Sequence, residues 1–296
     1  MKVLVIGGTG HVGTFLCELL ADRGHEVVVA SRGTKALPKG VKSIVCDATK
    51  PEELIALRSE KFDAVAVFPG CAGVVYDALA GYVKHLVACG SLWMYGNPRR
   101  VPTPEITQSE CPFSGYAARY KDMIRMLADG RSLFSAVMPP NICGAGKIPL
   151  DGLGGRDIEV HKAHRRGETV FLPDGPQALI APCDAHDIAM LFALCIEQPE
   201  KAGGQMFNVG PRYALTSSQF IQTYADIYQT TIPVEYVPWE TYKNEISPDI
   251  GYWWHFYAHM CPDYSKATAL LGYRPQYTAE EAMQNAVRWM YDQKLL

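Results

Sequence analysis

The chain has no run of about 18 apolar residues, so no membrane-spanning helix is expected. It has no strong charge of either sign. Its 28 Lys and Arg against 31 Asp and Glu leave a formal net charge of −3, which gives no reason to expect nucleic acid or an anionic membrane as a partner. The nine cysteines are odd in number and scattered, with no C-x-x-C pair, so they fit reduced thiols in a cytoplasm and not a disulfide framework. No internal repeat, low-complexity tract or flexible linker interrupts the chain. No metal site is expected. His161 and His164, and separately His255 and His259, have helical spacings, but neither pair has an HExxH glutamate or a cysteine partner. They read as ordinary surface or substrate-facing histidines.

What remains is a globular protein of 296 residues, 48% hydrophobic and 20% charged, long enough for one large domain or two lobes. Its organising stretch is Met1 to Gly13, MKVLVIGGTGHVG. Lys2 to Ile6 is a β-branched apolar run that reads as a strand buried on both faces. Gly7, Gly10 and Gly13 follow at G-x-x-G-x-x-G spacing, and from His11 a helical period begins with Val12, Phe15, Leu16, Leu19 and Leu20 on one side. Strand, glycine turn and helix together suit a dinucleotide. The turn reverses tightly, no Cβ blocks a pyrophosphate, and the helix N-terminus offers free N–H groups. A strand that carries this turn leaves no place for a removable signal.

The second strand, Glu26 to Ala30, ends at Ser31 and Arg32, 18 and 19 residues past Gly13. Where NAD-binding folds place an acidic ribose clamp, this chain has none. A serine and an arginine, with Lys35 nearby, leave room and charge for a 2′-phosphate, so NADP(H) is expected over NAD(H). The alternative is a solvated surface arginine. Further strands are expected at Ile44–Cys46, at Ala64–Phe68 with Pro69 and Gly70 following, at His85–Cys89 and at Leu133–Met138. Helices are expected near 51–58, 74–83 and 114–128. The stretch 148–166 reads as a mobile substrate loop leading into a basic helix.

The glycine spacing with Thr9 inside it resembles the extended or atypical short-chain dehydrogenase/reductase superfamily, also called the NAD-dependent epimerase/dehydratase family. Further segments resemble its motifs. Gly90-Ser91-Leu92-Trp93-Met94-Tyr95-Gly96 is similar to S-x-x-x-Y-G, and Pro139-Pro140-Asn141-Ile142-Cys143-Gly144 to R-P-x-N-V-Y-G, with Met138 in place of the arginine. GQMFNVG at 204–210 and DYSKATALLGYRP at 263–275 resemble its later segments, so the likeness runs from end to end. The short connection between the fourth and fifth strands resembles the subgroup of chloroplast stem-loop-binding proteins.

The resemblance implies an α/β Rossmann-type doubly wound parallel sheet with a smaller C-terminal substrate lobe. Residues 1–145 would bind the cofactor, and 146–296 would mainly bind substrate, with about 180–210 returning to the sheet. It implies cofactor contacts at Gly7, Thr9, Gly10, His11, Val12, Gly13, Ser31, Arg32, Asp47, Phe68, Gly70, Pro139 and Ile142, with Asp47 either meeting adenine or capping the next helix. It implies an active-site hydroxyl at Ser91, which could equally be a turn-forming serine. The Y-x-x-x-K pair is not offered in one register: Tyr116 stands four before Tyr120, and Lys121 stands four after Ala117. Residues five apart lie about 140° apart on a regular helix. Tyr116 and Lys121 can therefore act together only if the helix bulges by one residue. With that bulge, Ser91, Tyr116 and Lys121 would form the catalytic set.

The expected activity is an NADP(H)-linked oxidoreductase, epimerase or dehydratase acting at a hydroxyl or carbonyl carbon of a small, sugar-derived substrate. Arg156, Arg165, Arg166 and Arg212 are candidates for a substrate pyrophosphate. A cofactor-binding sensor with a degenerate site is the first rival, and an RNA-binding protein the second. The aromatic run YWWHFY at 252–257 reads either as core plus a subunit interface, as in a homodimer, or as a wall or lid over the substrate.

Overall fold

A computed structural model describes residues 1–68 and 70–296; Pro69, expected just after the fourth strand, lies outside them. Seven parallel strands form the central sheet: β1 (Lys2–Ile6), β2 (Glu26–Ser31), β3 (Lys42–Val45), β4 (Ala64–Val67), β5 (His85–Cys89), β6 (Leu133–Met138) and β7 (Gln205–Asn208). Their spatial order is β7-β6-β5-β4-β1-β2-β3, so the direction of winding reverses between β1 and β4. Register follows the apolar runs, with Val3 to Ile6 paired to Val27 to Ala30 on one side and to Ala64 to Val67 on the other. Because a strand alternates faces, Leu4, Ile6, Val65 and Val67 enter one apolar cluster, while Val3, Val5, Ala64 and Ala66 enter another on the opposite face. Both faces are covered, which is why β1 carries no polar residue between Lys2 and Gly7.

Helix α1 (His11–Asp22) and α6 (Ala185–Glu197) bury Val12, Leu16, Leu20, Ile188, Leu191 and Phe192 against one face. On the other face lie α3 (Ala72–Leu79) and α4 (Ser114–Asp129), through Val75, Tyr76, Met123 and Met126. Asp184 caps α6 by accepting from the His186 N–H at 2.9 Å. A third cluster, with Leu150, Val170, Leu172, Phe220, Tyr224, Met283 and Val287, gathers C-terminal segments.

Two expectations are corrected in the segment 148–166. It is not a loose loop, since the buried Asp151 carboxylate accepts from the Leu153, Gly155 and Asp157 N–H groups at 2.8–3.0 Å. The histidines of α5 (Ile158–Arg165) are buried and not at the surface. His161 meets the Tyr228 hydroxyl and the Pro149 carbonyl, and His164 Nε2 accepts from the Gly152 N–H. Among the described residues no cluster suits a metal ion, and no helix is long and apolar enough to cross a membrane.

Candidate active site

A cavity of about 820 Å³ opens along the carboxyl ends of the central strands. Its lining takes Gly7 just after β1, Ser31 at the end of β2 and Arg32 after it, Asp47 after β3, Phe68 after β4, Ser91 after β5 and Pro139 to Ile142 after β6. In a doubly wound sheet that is where ligands sit, at the point where strand order reverses.

The glycine turn is shaped by three different needs. Gly7 has φ +86°, and a Cβ there would meet the Phe68 backbone oxygen at 2.9 Å. At Gly13 a Cβ would run into the Gly7 carbonyl and come within 2.8 Å of Gly8 Cα, so this glycine lets α1 pack on the strand. At Gly10 only the Gly7 oxygen, at 3.1 Å, would be near; the rest of that space is the cavity. Helix α1 starts at His11 with Gly10 as its cap and no capping side chain, so its first N–H groups have no partner within the helix. His11 packs beside Gly146, and neither of its buried ring nitrogens has a hydrogen-bond partner among the described residues. Burial, with Arg156 nearby, lowers its pKa to about 4, so the ring is neutral. An open cradle and free helical N–H groups suit a pyrophosphate.

Thr9 and Val12 complete this end of the lining. Ser31, Arg32, Thr34 and Lys35 line the far end, and Ser31 Oγ accepts from the Gly33 N–H at 3.2 Å. Asp47 lines the cavity and does not cap α2 (Pro51–Ala56), whose cap is Lys50. Its Oδ1 accepts from the Thr49 N–H and hydroxyl at 3.0 and 2.7 Å, and these bonds hold its pKa below the usual carboxylate range. Gly70, although at φ +94°, is not part of the lining.

At the opposite end stand Ser91, Trp93, Tyr116, Arg119, Asn141, Lys147, Arg156 and His255. Ser91 has two places in the structure. It lines the cavity, and it caps the 3₁₀ turn Leu92–Tyr95 by accepting from the Trp93 N–H at 3.3 Å. Tyr116 comes from the first turn of α4 and packs tilted against Trp93, with ring centroids 5.5 Å apart.

Lys121 is not brought to the site. Helix α4 runs as an uninterrupted α-helix from Ser114 to Asp129, with no bulge to absorb the extra residue, and Lys121 is exposed outside the lining. The cation beside Tyr116 is Arg119, one turn on, with its guanidinium carbon 4.3 Å from the tyrosine ring centroid. Tyr120 packs instead against Tyr95. The run YWWHFY divides between roles: Trp254 and Phe256 are buried, Tyr252 and Tyr257 are exposed, and His255 faces the cavity. Of the four arginines considered for a substrate, only Arg156 lines it, and its guanidinium donates to the Ile148 and Ile142 carbonyls at 2.8 and 2.7 Å.

A doubly wound parallel sheet with a glycine turn at its switch point defines a Rossmann-type protein. The family model for the NAD dependent epimerase/dehydratase family matches residues 3–81. The 2'-dehydrokanamycin reductase of Streptomyces kanamyceticus is 36% identical over 123 residues, a match covering 39% of this chain and only 34% of the reductase. A UDP-glucose 4-epimerase of Corynebacterium glutamicum is 23% identical, covering 94% of this chain and 92% of that protein. Among solved structures, the UDP-glucose-4-epimerase of Stenotrophomonas maltophila, with bound NAD and formylated UDP-arabinopyranose, superposes with a TM-score of 0.80 at 19% identity, covering 99% of both chains. That of Bifidobacterium longum, in complex with NAD+ and UDP, has a TM-score of 0.78 at 18% identity, covering 100% of this chain and 99% of that one. The match over residues 3–81 and the fold shared along the whole chain make it similar to the extended short-chain dehydrogenase/reductases of the NAD-dependent epimerase/dehydratase kind.

Proposed function

We propose that this chain is an NADP(H)-dependent enzyme that oxidises or reduces a hydroxyl or carbonyl carbon of a small, sugar-derived substrate, as net chemistry or within epimerisation or dehydration. The observation that carries this reading is that one cavity joins the glycine turn to Ser91 and Tyr116. The cofactor supplies or accepts the hydride; the chain's residues do the rest. The cradle at Gly10 and the first turn of α1 hold the pyrophosphate. Arg32 and Lys35 meet the 2′-phosphate, which an acidic clamp would repel. Phe68, Pro139 and Ile142 wall the slot along the strand ends.

Tyr116 exchanges a proton with the substrate oxygen, and Ser91 holds that oxygen by a second hydrogen bond. The cation that packs on Tyr116 in this site is Arg119, in place of Lys121. The absence of Lys121 from the lining favours a second reading, a nucleotide-binding sensor without turnover. Turnover of a panel of keto-sugars and nucleotide sugars, followed with NADPH and NADH, separates the two. The enzyme reading expects turnover with NADPH preferred. Tight NADPH binding with no turnover of any member supports the sensor.

A further inference from the structure

We propose that His255 is a substrate-binding residue, a neutral imidazole that presents its Nε2–H to an oxygen of the substrate beside Ser91 and Tyr116. This inference rests on the enzyme reading above and adds to its site a residue that belongs to none of the motifs.

The argument begins at a backbone amide. The Ala181 N–H can only donate, and it donates to Asn141 Oδ1 at 3.0 Å. That fixes which way the Asn141 amide points, so its Nδ2 is the donor on the other side. Asn141 Nδ2 stands 2.8 Å from His255 Nδ1. Two donors cannot share one hydrogen bond, so Nδ1 is the bare acceptor nitrogen and the ring proton of a neutral His255 is on Nε2. The bond to Asn141 is the one hydrogen bond the ring makes among the described residues, which leaves Nε2 without a protein partner.

The ring stays neutral because protein encloses it on most sides, although one edge opens on the cavity. That enclosure, with Arg156 near, pushes its pKa down to about 3. Its position is set by packing as well. The ring tilts against Trp93 at 4.8 Å between centroids, and Trp93 in turn packs on Tyr116 and stacks on Phe113 at 4.7 Å. The relay Ala181–Asn141–His255 links three segments far apart in sequence and ends on a donor with no protein partner among the described residues. A rigid aromatic floor with a neutral donor beside it matches a polyhydroxylated ring, whose C–H face packs on the indole while a hydroxyl or carbonyl oxygen accepts from Nε2–H.

The tautomer is read directly on the full-length protein, labelled with ¹⁵N at histidine, from long-range ¹H–¹⁵N couplings at neutral pH. The proposal expects His255 as the Nε2–H form; an Nδ1–H form or an imidazolium overturns it. Its role is read by kinetics on whichever keto-sugar or nucleotide sugar the parent turns over. His255→Phe, which keeps a ring against Trp93 and removes the donor, should raise KM roughly tenfold, the effect of losing one neutral hydrogen bond. The same variant should leave NADPH affinity unchanged, which also shows that it folds. His255→Gln, which restores an N–H near the same place, should recover most of the loss. An active parent whose His255→Phe variant keeps the parental KM and kcat overturns this inference alone. A parent that binds NADPH yet turns over nothing in the panel removes the enzyme reading and this inference with it.

Discussion

Replacing Gly10 and Gly13 in turn by valine should separate cofactor binding from folding. A Cβ at Gly13 collides with the Gly7 carbonyl and lies within 2.8 Å of Gly8 Cα, and both obstacles are backbone, so neither can rotate away. Overpacking of this kind costs about 1–3 kcal/mol or more, which lowers the melting temperature of a chain this size by several degrees. At Gly10 the backbone is extended, with φ −89° and ψ 176°, a conformation valine adopts readily. Its one neighbour within reach is the Gly7 oxygen at 3.1 Å, so the fold should lose little. The methyl groups would instead stand in the phosphate cradle. Losing a single charge-assisted hydrogen bond there, about 1.5–3 kcal/mol, weakens NADPH by about tenfold or more. Thermal unfolding by circular dichroism, paired with calorimetric NADPH titration, reads both effects. Gly10→Val with parental affinity would refute the assignment of the cradle, and equal unfolding of both variants would refute the division of labour between the two glycines.

Two further outcomes are expected. Arg32→Ala should cut NADPH affinity by about tenfold while leaving NADH affinity nearly unchanged, as followed by titration of both nucleotides; equal losses would mean that Arg32 is a solvated surface residue. Lys121→Ala should leave turnover within about twofold of the parent, because Lys121 is exposed outside the cavity; a hundredfold loss in kcat would show that α4 bulges in the working enzyme.

The first strand, the glycine turn and α1 were legible because their signals are local. An apolar run, three glycines and a 3.6-residue period lie within the first twenty-two residues. The same is true of β5 with Ser91, where a strand end fixes the position of the next residue. The other wall of the site was not legible in this way. Asn141, Lys147 and His255 reach the cavity from segments up to 114 residues apart, and no periodicity in the sequence records that meeting. His161 and His164 misled because a polar type at helical spacing looks like a surface face. Three of their four ring nitrogens meet the Pro149 carbonyl, the Tyr228 hydroxyl and the Gly152 N–H, partners that only the folded chain supplies. Lys121 misled for the opposite reason. The family pattern called for a lysine near that place, but the regular α-helix carries it round to the outer face, while Arg119 attracted no notice because it matches no motif.

The central claim, that Tyr116 handles the proton at a reducible carbon beside the bound nucleotide, is tested most directly by single-turnover reduction. Enzyme saturated with NADPH is mixed with a keto substrate from the panel, and the loss of the reduced nicotinamide is followed for the parent and Tyr116→Phe. The account predicts a parent that consumes the nicotinamide in one phase and a variant slower by roughly 10²-fold or more, with NADPH affinity unchanged. A Tyr116→Phe rate equal to the parent's would contradict it.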